Sequence, residues 1–554
     1  MRSSKLPPCN RADRQAVILI MLWLGLVSMS PALGDPQTQP DAASSVSSAM
    51  DNQVFSTTRD LFRMGFNSSV TGSLVLGALH STNDPQLKDY FLSVSRQPDP
   101  ELKLIALLDA NSISHDPSTI DPKQFLTSKA TEFVSPSLAM LIQFGSVTDA
   151  QLEQIEHSAT DPAQRLMAAS ELVNRGNYRA ADAFVLALSK APDPEVCYYA
   201  ALTMMQLPDP DQNKQGLGLL KELQANREYI LEALKESLLS RIVDQKITKA
   251  IPWARTMAED AQNSFDVRLV ALNTLFEMNN SAAPDIFIAL LSGDNDIVSQ
   301  VELGMTAIRF GSALSSDDVA PLAQSDSPLL QGIAHAASLV AAHQDPTPAI
   351  LDLIQQGQPI FLNWVLDYAA TPQAHDRVKL LSALVNYAVI ADGDRDQDYQ
   401  RGLQAAQAMA DANTSADRAA LSGFLDSPNN AVVEVALAGM LQSKNNDFSS
   451  LVLAHWNNLM SNTDDRIPQF AALVLGRQGD KLALPELAAI VTQAVDRSVG
   501  FRAVAGWYYL KIIGENAELL KSVDNPTTQP VATTQPIIQP PSTQPTTQPA
   551  HTQP

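Results

Sequence analysis

A short frame of small and branched apolar residues recurs along this chain at nearly constant spacing. Recurrence of that kind restricts the fold to a stacked array of similar units. The fullest copy lies in the stretch RIPQFAALVLGRQGDKLALPELAAI, residues 466–490, where Ile467 is followed at +4 and +5 by Ala471 and Ala472 and at +8 by Leu475. The same frame runs from Gln164 to Ala168, Ala169 and Leu172, from Val196 to Ala200, Ala201 and Met204, and from Val267 to Ala271, Leu272 and Leu275. Val134, Leu102 and Phe501 anchor further copies, and weaker ones start near Ile230, Ile297, Leu329 and Val432. Neighbouring anchors stand 30–37 residues apart, except for one gap of 103 residues that has room for about three degenerate units.

Offsets 0, +4, +5 and +8 fall on one stripe of an α-helix. Alanine at two of them lets a neighbouring helix come close, and the larger residue fills the space beyond. A period of about 30–37 residues accommodates two helices of roughly 10–14 residues and two turns. Start signals precede several copies. Asp99-Pro100, Asp161-Pro162 and Asp193-Pro194 each place a capping carboxylate before a proline that a first turn tolerates, and Asp464 or Asp465 stands ready to do the same before Pro468. Pro485 falls well inside the following helix and is expected to bend it. Each helical pair has an apolar face that it buries only by stacking on the next. Hydrophobic residues make up 45% of the chain and aromatics only 6%, a balance that suits helices packed through small side chains.

The unit of residues 464–487 resembles the HEAT repeat, in the short form of phycobilisome-lyase-like repeat proteins. The likeness rests on Ile467, Ala471, Ala472, Leu475, Gly476, Gly479, Asp480, Ala483, Leu484, Pro485 and Leu487. Arg165, Arg268 and Arg502 hold the arginine slot of that repeat, Lys103 substitutes there, and Pro468 departs from it. The resemblance implies an all-α solenoid, a superhelix of about a dozen stacked helical hairpins over residues 51–520, in which the Asp and Arg cap helices and bridge units. Ankyrin and tetratricopeptide repeats have similar periods, but their signatures are absent in any repeated register. No bilin-lyase catalytic motif is matched.

The ends differ from the array. Arg2, Lys5, Arg11 and Arg14 precede the apolar run AVILIMLWLGLV and the small residues Ala32 and Gly34, so residues 1–34 read as a signal peptide, with a retained signal anchor as the rival reading. Residues 35–50 read as a flexible leader. Residues 525–554, a Thr/Gln/Pro-rich tail, cannot form a core and are expected to be disordered: a spacer, an O-glycosylated stalk or a docking tail. The chain carries −22, and loss of residues 1–34, whose own net charge is +3, leaves −25. So acidic a surface repels phosphate backbones, which sets nucleic acid aside and favours basic proteins, cationic ligands or metal ions as partners. With Cys9 removed with the signal peptide, Cys197 is left without a disulfide partner and is expected to be an inert thiol in a helix core.

Motifs that carry chemistry are scarce. Gly216-Leu217-Gly218 begins a nucleotide-loop pattern but lacks its remainder, and His335 and His343 lack a third ligand at useful spacing. The sharpest cluster is Asp392, Asp394, Asp396 and Asp398, alternating as early calcium-loop ligands do, although Gln397 and Leu403 stand where that loop needs Gly and Glu. Trp507, Tyr508 and Tyr509 are expected to cap the last exposed core face. The function expected is a non-catalytic scaffold or protein-binding module, without cofactor, exported to the periplasm or cell envelope and holding its partner along the solenoid groove. The alternatives are an enzyme or accessory domain with a groove site, and a structural protein anchored to the envelope by its tail.

Overall fold

In a computed structural model the protein is described over residues 45–114 and 138–524, apart from residues 68, 140, 143–144, 146, 227–228, 294, 388–394, 446 and 495–496. The expected signal peptide and Pro-rich tail lie outside these residues. Every regular element among the described residues is helical, from Ser45–Met64 to Asn516–Asp524. The first helix among the described residues therefore begins inside the stretch read as a leader. The frame positions are the core: Ala168, Ala169, Leu172, Ala200, Ala201, Met204, Ala271, Leu272, Leu275, Ala471, Ala472 and Leu475 have no exposed surface.

Two of the expected starts form as the sequence implies, whereas Asp465 at the start of Arg466–Arg477 makes no capping bond and Pro468 is the third residue of that helix. Asp161 accepts from the Ala163 amide and Asp193 from the Glu195 amide, each at 2.9 Å, with proline in the first turn. The ends share a device that the sequence hides. Gly176, Lys246, Asn279, His343, Gly479 and Gly514 all take left-handed backbone, with φ of 82°, 52°, 52°, 56°, 79° and 82°. After each, the next amide reaches back to a branched apolar residue: Asn177 to Leu172, Ile247 to Ile242, Asn280 to Leu275, Gln344 to Leu339, Asp480 to Leu475 and Glu515 to Leu510. These are Schellman closures, which satisfy carbonyls that the helix end would leave open. Three of the accepting residues, Leu172, Leu275 and Leu475, are the +8 positions of the frame. One side chain thus fills the inter-helix space while its carbonyl stops the helix.

Polar side chains tie each unit to the next. Ser170 meets Thr203 at 2.9 Å, Thr306 donates to Asn273 at 3.1 Å, Ser443 to Asp411 at 2.8 Å, and Asn462 to Asn430 at 2.8 Å, over separations of 32 or 33 residues. These ties measure the repeat independently of the apolar frame and agree with it. The degenerate stretch is filled by Thr347–Gln355, Pro359–Ala369, Arg377–Tyr387, Arg395–Ala412 and Ser415–Leu425.

Two local expectations are corrected. Pro485 does not bend a helix. A short 3-10 turn, Lys481–Ala483, capped by Asp480, delays the start to Leu484, so Pro485 stands in the first turn of Leu484–Thr492. The copy placed near Ile297 is also shifted. Ile297 is 55% exposed, and its helix instead buries Val301, Gly304, Met305 and Ile308. A Cβ on Gly304 would run into Ile333, so this unit reaches close packing with glycine where others use alanine.

The array closes on itself. The helix Val499–Ile513 packs on Arg466–Arg477 and Leu484–Thr492 and also on the first two helices, Ser45–Met64 and Val70–Ser81. The N-terminal hairpin occupies the place of the next unit. It then leads through Pro100–Ser114, whose Leu108 packs against the core of residues 138–207. The seam uses the same small-on-small approach as the interior. A Cβ on Gly500 would stand 2.7 Å from that of Ala78, as one on Gly439 would from that of Ala406. Trp507 is fully buried there, its indole 5.9 Å from the Phe62 ring and its Nε1 donating to Asp84 Oδ2 at 3.0 Å. Lys511 reaches the same oxygen at 2.6 Å, and Tyr509 donates to Asp51 at 2.5 Å. The aromatic trio does cap the last core face, but the cap is itself covered by the helices Ser45–Met64 and Val70–Ser81.

Candidate functional site

Four carboxylates form a row across successive units, two of them at helix starts. Asp266 lies in the first turn of Phe265–Glu277, and Asp296 caps Ile297–Phe310, accepting from the Ser299 amide at 2.8 Å. Both positions favour acid, because a helix N-terminus offers free amides and a positive dipole end. Those hydrogen bonds hold Asp296 below the ordinary carboxylate range. Glu236 and Glu302 stand beside them on Tyr229–Asp244 and Ile297–Phe310. Burial and then the charge of Asp266 push Glu236 up; burial and then the charges of Asp266 and Asp296 push Glu302 up. The carboxylates thus repel one another across unit boundaries, and none of the four is in an ion pair among the described residues. Glu232 differs. Burial pushes it up, but Lys235 at 2.6 Å more than offsets this and holds it down. The Lys235 ammonium is fully buried and also donates to Asn226 O and Asn263 Oδ1, so it neutralises Glu232 and leaves the row beyond it uncompensated. Ile297 and Val298, 55% and 52% exposed, adjoin Asp296 and give the row an apolar edge.

The residues singled out in the sequence are placed as follows. Asp392 and Asp394 lie outside the described residues, and Asp396 opens the helix Arg395–Ala412. Asp398 is on that helix, buried and paired with Arg401, which also donates to Asn363 at 2.5 Å. A carboxylate turned inward onto a guanidinium is not offered to a cation in solvent. Among the described residues no three His, Cys, Asp or Glu side chains form a metal-holding group. His335 is exposed on a helix, whereas His343 forms a left-handed helix end. The Cys197 thiol donates to Ser189 O at 2.9 Å, and burial pushes it up. Gly216 is a packing residue, since a Cβ there would meet the Ala201 carbonyl at 2.5 Å. At the seam, Leu74, Ala78, Leu441, Phe470, Phe501 and Tyr508 line a small apolar pocket of about 80 Å3.

Sequence reading missed the acidic row, although its signal was present: Asp266 and Asp296 each precede an anchor residue, 30 positions apart. It also missed a cluster of Ser422, Asp426 and His455, for which no sequence motif exists.

No family profile matches the chain, and no curated protein matches it. Among solved structures it is similar to Kap121p bound to RanGTP, at 14% identity and a TM-score of 0.28, covering 93% of this chain and 55% of that one. It is also similar to Kap121p bound to Pho4p, at 13% identity and a TM-score of 0.27, over 93% and 59%. A third likeness is to the UNC-45 chaperone, in a structure describing its features critical for binding and folding muscle myosin, at 13% identity and a TM-score of 0.21, over 82% and 68%. The chain thus spans little more than half the length of the Kap121p structures. The class of protein defined here, a closed all-α helical solenoid, rests on the stacking described above.

Proposed function

We propose that the protein is a protein-binding scaffold of the periplasm or cell envelope, which holds a cationic segment of its partner against the acidic row of Glu236, Asp266, Asp296 and Glu302. The observation that carries this reading is the uncompensated repulsion in that row, repeated from unit to unit beside exposed Ile297 and Val298. Lysine or arginine side chains at matching spacing relieve the repulsion, and the apolar pair covers their methylene stems. The basic and apolar N-terminus supports export. Among the described residues no helix is long and apolar enough to cross a membrane.

The test is binding of the full chain to a lysine-rich peptide and to its glutamate-rich counterpart. The triple variant Glu236→Gln, Asp266→Asn, Glu302→Gln is expected to weaken lysine-peptide binding by about tenfold at low salt and to flatten its salt dependence. Unchanged affinity in that variant sinks the proposed surface. Export is tested separately, by cell fractionation and sequencing of the mature N-terminus, expected at Asp35.

A further inference from the structure

Ser422 and Asp426 lie one turn apart, on and just after the helix Ser415–Leu425, and His455 comes to them from the next unit. Ser422 Oγ stands 2.9 Å from His455 Nε2, and Asp426 Oδ1 stands 2.8 Å from His455 Nδ1. A carboxylate only accepts, so Nδ1 carries the proton of the neutral ring. Nε2 is then the bare nitrogen, and the serine hydroxyl must donate to it. The arrangement assigns a direction to every proton: serine to imidazole, imidazole to carboxylate.

This cluster differs from the other polar ties between units. His80 also meets an aspartate and a serine of its neighbouring unit, but through a single atom. Its Nδ1 faces both Asp109 at 3.1 Å and Ser112 at 3.2 Å, so it has no second nitrogen aimed at the hydroxyl. Ser112 also donates to the Asp109 carbonyl, and Ser338 to the Ala334 carbonyl of its own helix, whereas the hydrogen bond of Ser422 runs to the imidazole. Ser422 is half-buried and reachable. Its neighbour Gly423 is exposed, with nothing within 4 Å of the place a Cβ would take, and Leu453 and Ala454 beside His455 are exposed as well.

We propose that Ser422 is a base-activated nucleophile that accepts an acyl group from a small activated ester. The Oγ–carbonyl bond forms, and the bond from the carbonyl carbon to the ester oxygen breaks. The hydroxyl proton passes through His455 Nε2 to the departing alkoxide, which leaves as the alcohol. Asp426 holds the ring in the required tautomer and balances the transient imidazolium. This site is independent of the acidic row, and the two stand or fall separately.

The test treats the full chain with p-nitrophenyl acetate and follows acetylation of individual serines by peptide mass spectrometry. Ser422 is expected to be acetylated at least about tenfold faster than Ser112 or Ser338. His455→Gln is expected to slow it by about a hundredfold. Asp426→Asn, which preserves shape, is expected to slow it also, because the amide permits the wrong tautomer. Thermal melting of each variant separates loss of reactivity from loss of fold. Acetylation of Ser422 no faster than that of Ser112, or a rate indifferent to Asp426→Asn in a folded variant, overturns the proposal and leaves the cluster as a tie between units.

Discussion

Replacing Trp507 by alanine is expected to open the ring. The indole is fully buried, contacts Phe62 across the seam and donates to Asp84. Its removal costs about 3–5 kcal/mol in lost burial and cavity, and it leaves the buried Asp84 with Lys511 as its remaining seam partner. The loss falls on one interface rather than on a hairpin, because every other unit boundary keeps its own contacts. The informative comparison is Trp253→Ala. Trp253 is also buried, donating to Leu220 O at 2.8 Å in the middle of the array. Both variants should unfold at lower denaturant. Only Trp507→Ala should expand the protein under native conditions, read as a larger radius of gyration by small-angle scattering while helical circular dichroism stays constant. An unexpanded Trp507→Ala variant would mean that the seam is held without this residue, and expansion in both would mean that closure depends on the whole array.

The repeat was legible because its physics is local. A buried Ala-Ala pair, a capping Asp before Pro and a branched residue one turn later act within about a dozen residues, and sequence displays them directly. Closure was not legible, because contacts such as Trp507 with Asp84, 423 residues apart, depend on rotation accumulated over every unit between them. One signal did exist. The helix Val499–Ile513 buries nearly every position from Gly500 to Leu510, whereas a terminal unit of an open array needs one polar face. The left-handed turns were half legible: Gly176, Gly479 and Gly514 announce themselves, while Lys246, Asn279 and His343 do so less, since glycine alone takes that backbone without steric cost. The acidic row and the Ser422 cluster combine residues of different units, so their meaning required the stacking register, and Ile297 shows that register to be the weakest part of the sequence reading.

Stability of the segment around residues 149–207 is expected to fall as pH rises from about 4.5 to 7, and Glu156 is the cause. Its side chain has no exposed surface and neither carboxyl oxygen has a hydrogen-bond partner. Burial pushes its pKa up to about 7, against the charges of His157 and Arg165, which pull it down, and with a smaller push from Glu153. Arg165 acts on it through charge alone; its Nε donates to the Glu156 carbonyl at 2.9 Å, and no hydrogen bond reaches the carboxylate. The folded protein therefore keeps this proton at a pH where the unfolded chain has lost it. Below the unfolded value both states are protonated and the penalty is absent. Between the two values the unfolded state binds fewer protons, so stability declines, and above the folded value the full cost of about 3 kcal/mol applies, at 1.36 kcal/mol per pKa unit. Glu156→Gln keeps the shape and removes the titration, at the cost of an unpartnered amide worth about 1–3 kcal/mol at every pH. Denaturant unfolding at closely spaced pH values should show the wild type losing stability relative to Glu156→Gln across this window, with the gap constant on either side. A pH-independent gap would mean that Glu156 finds a proton donor or a cation when folded, and that the carboxylate stays ionised in the core.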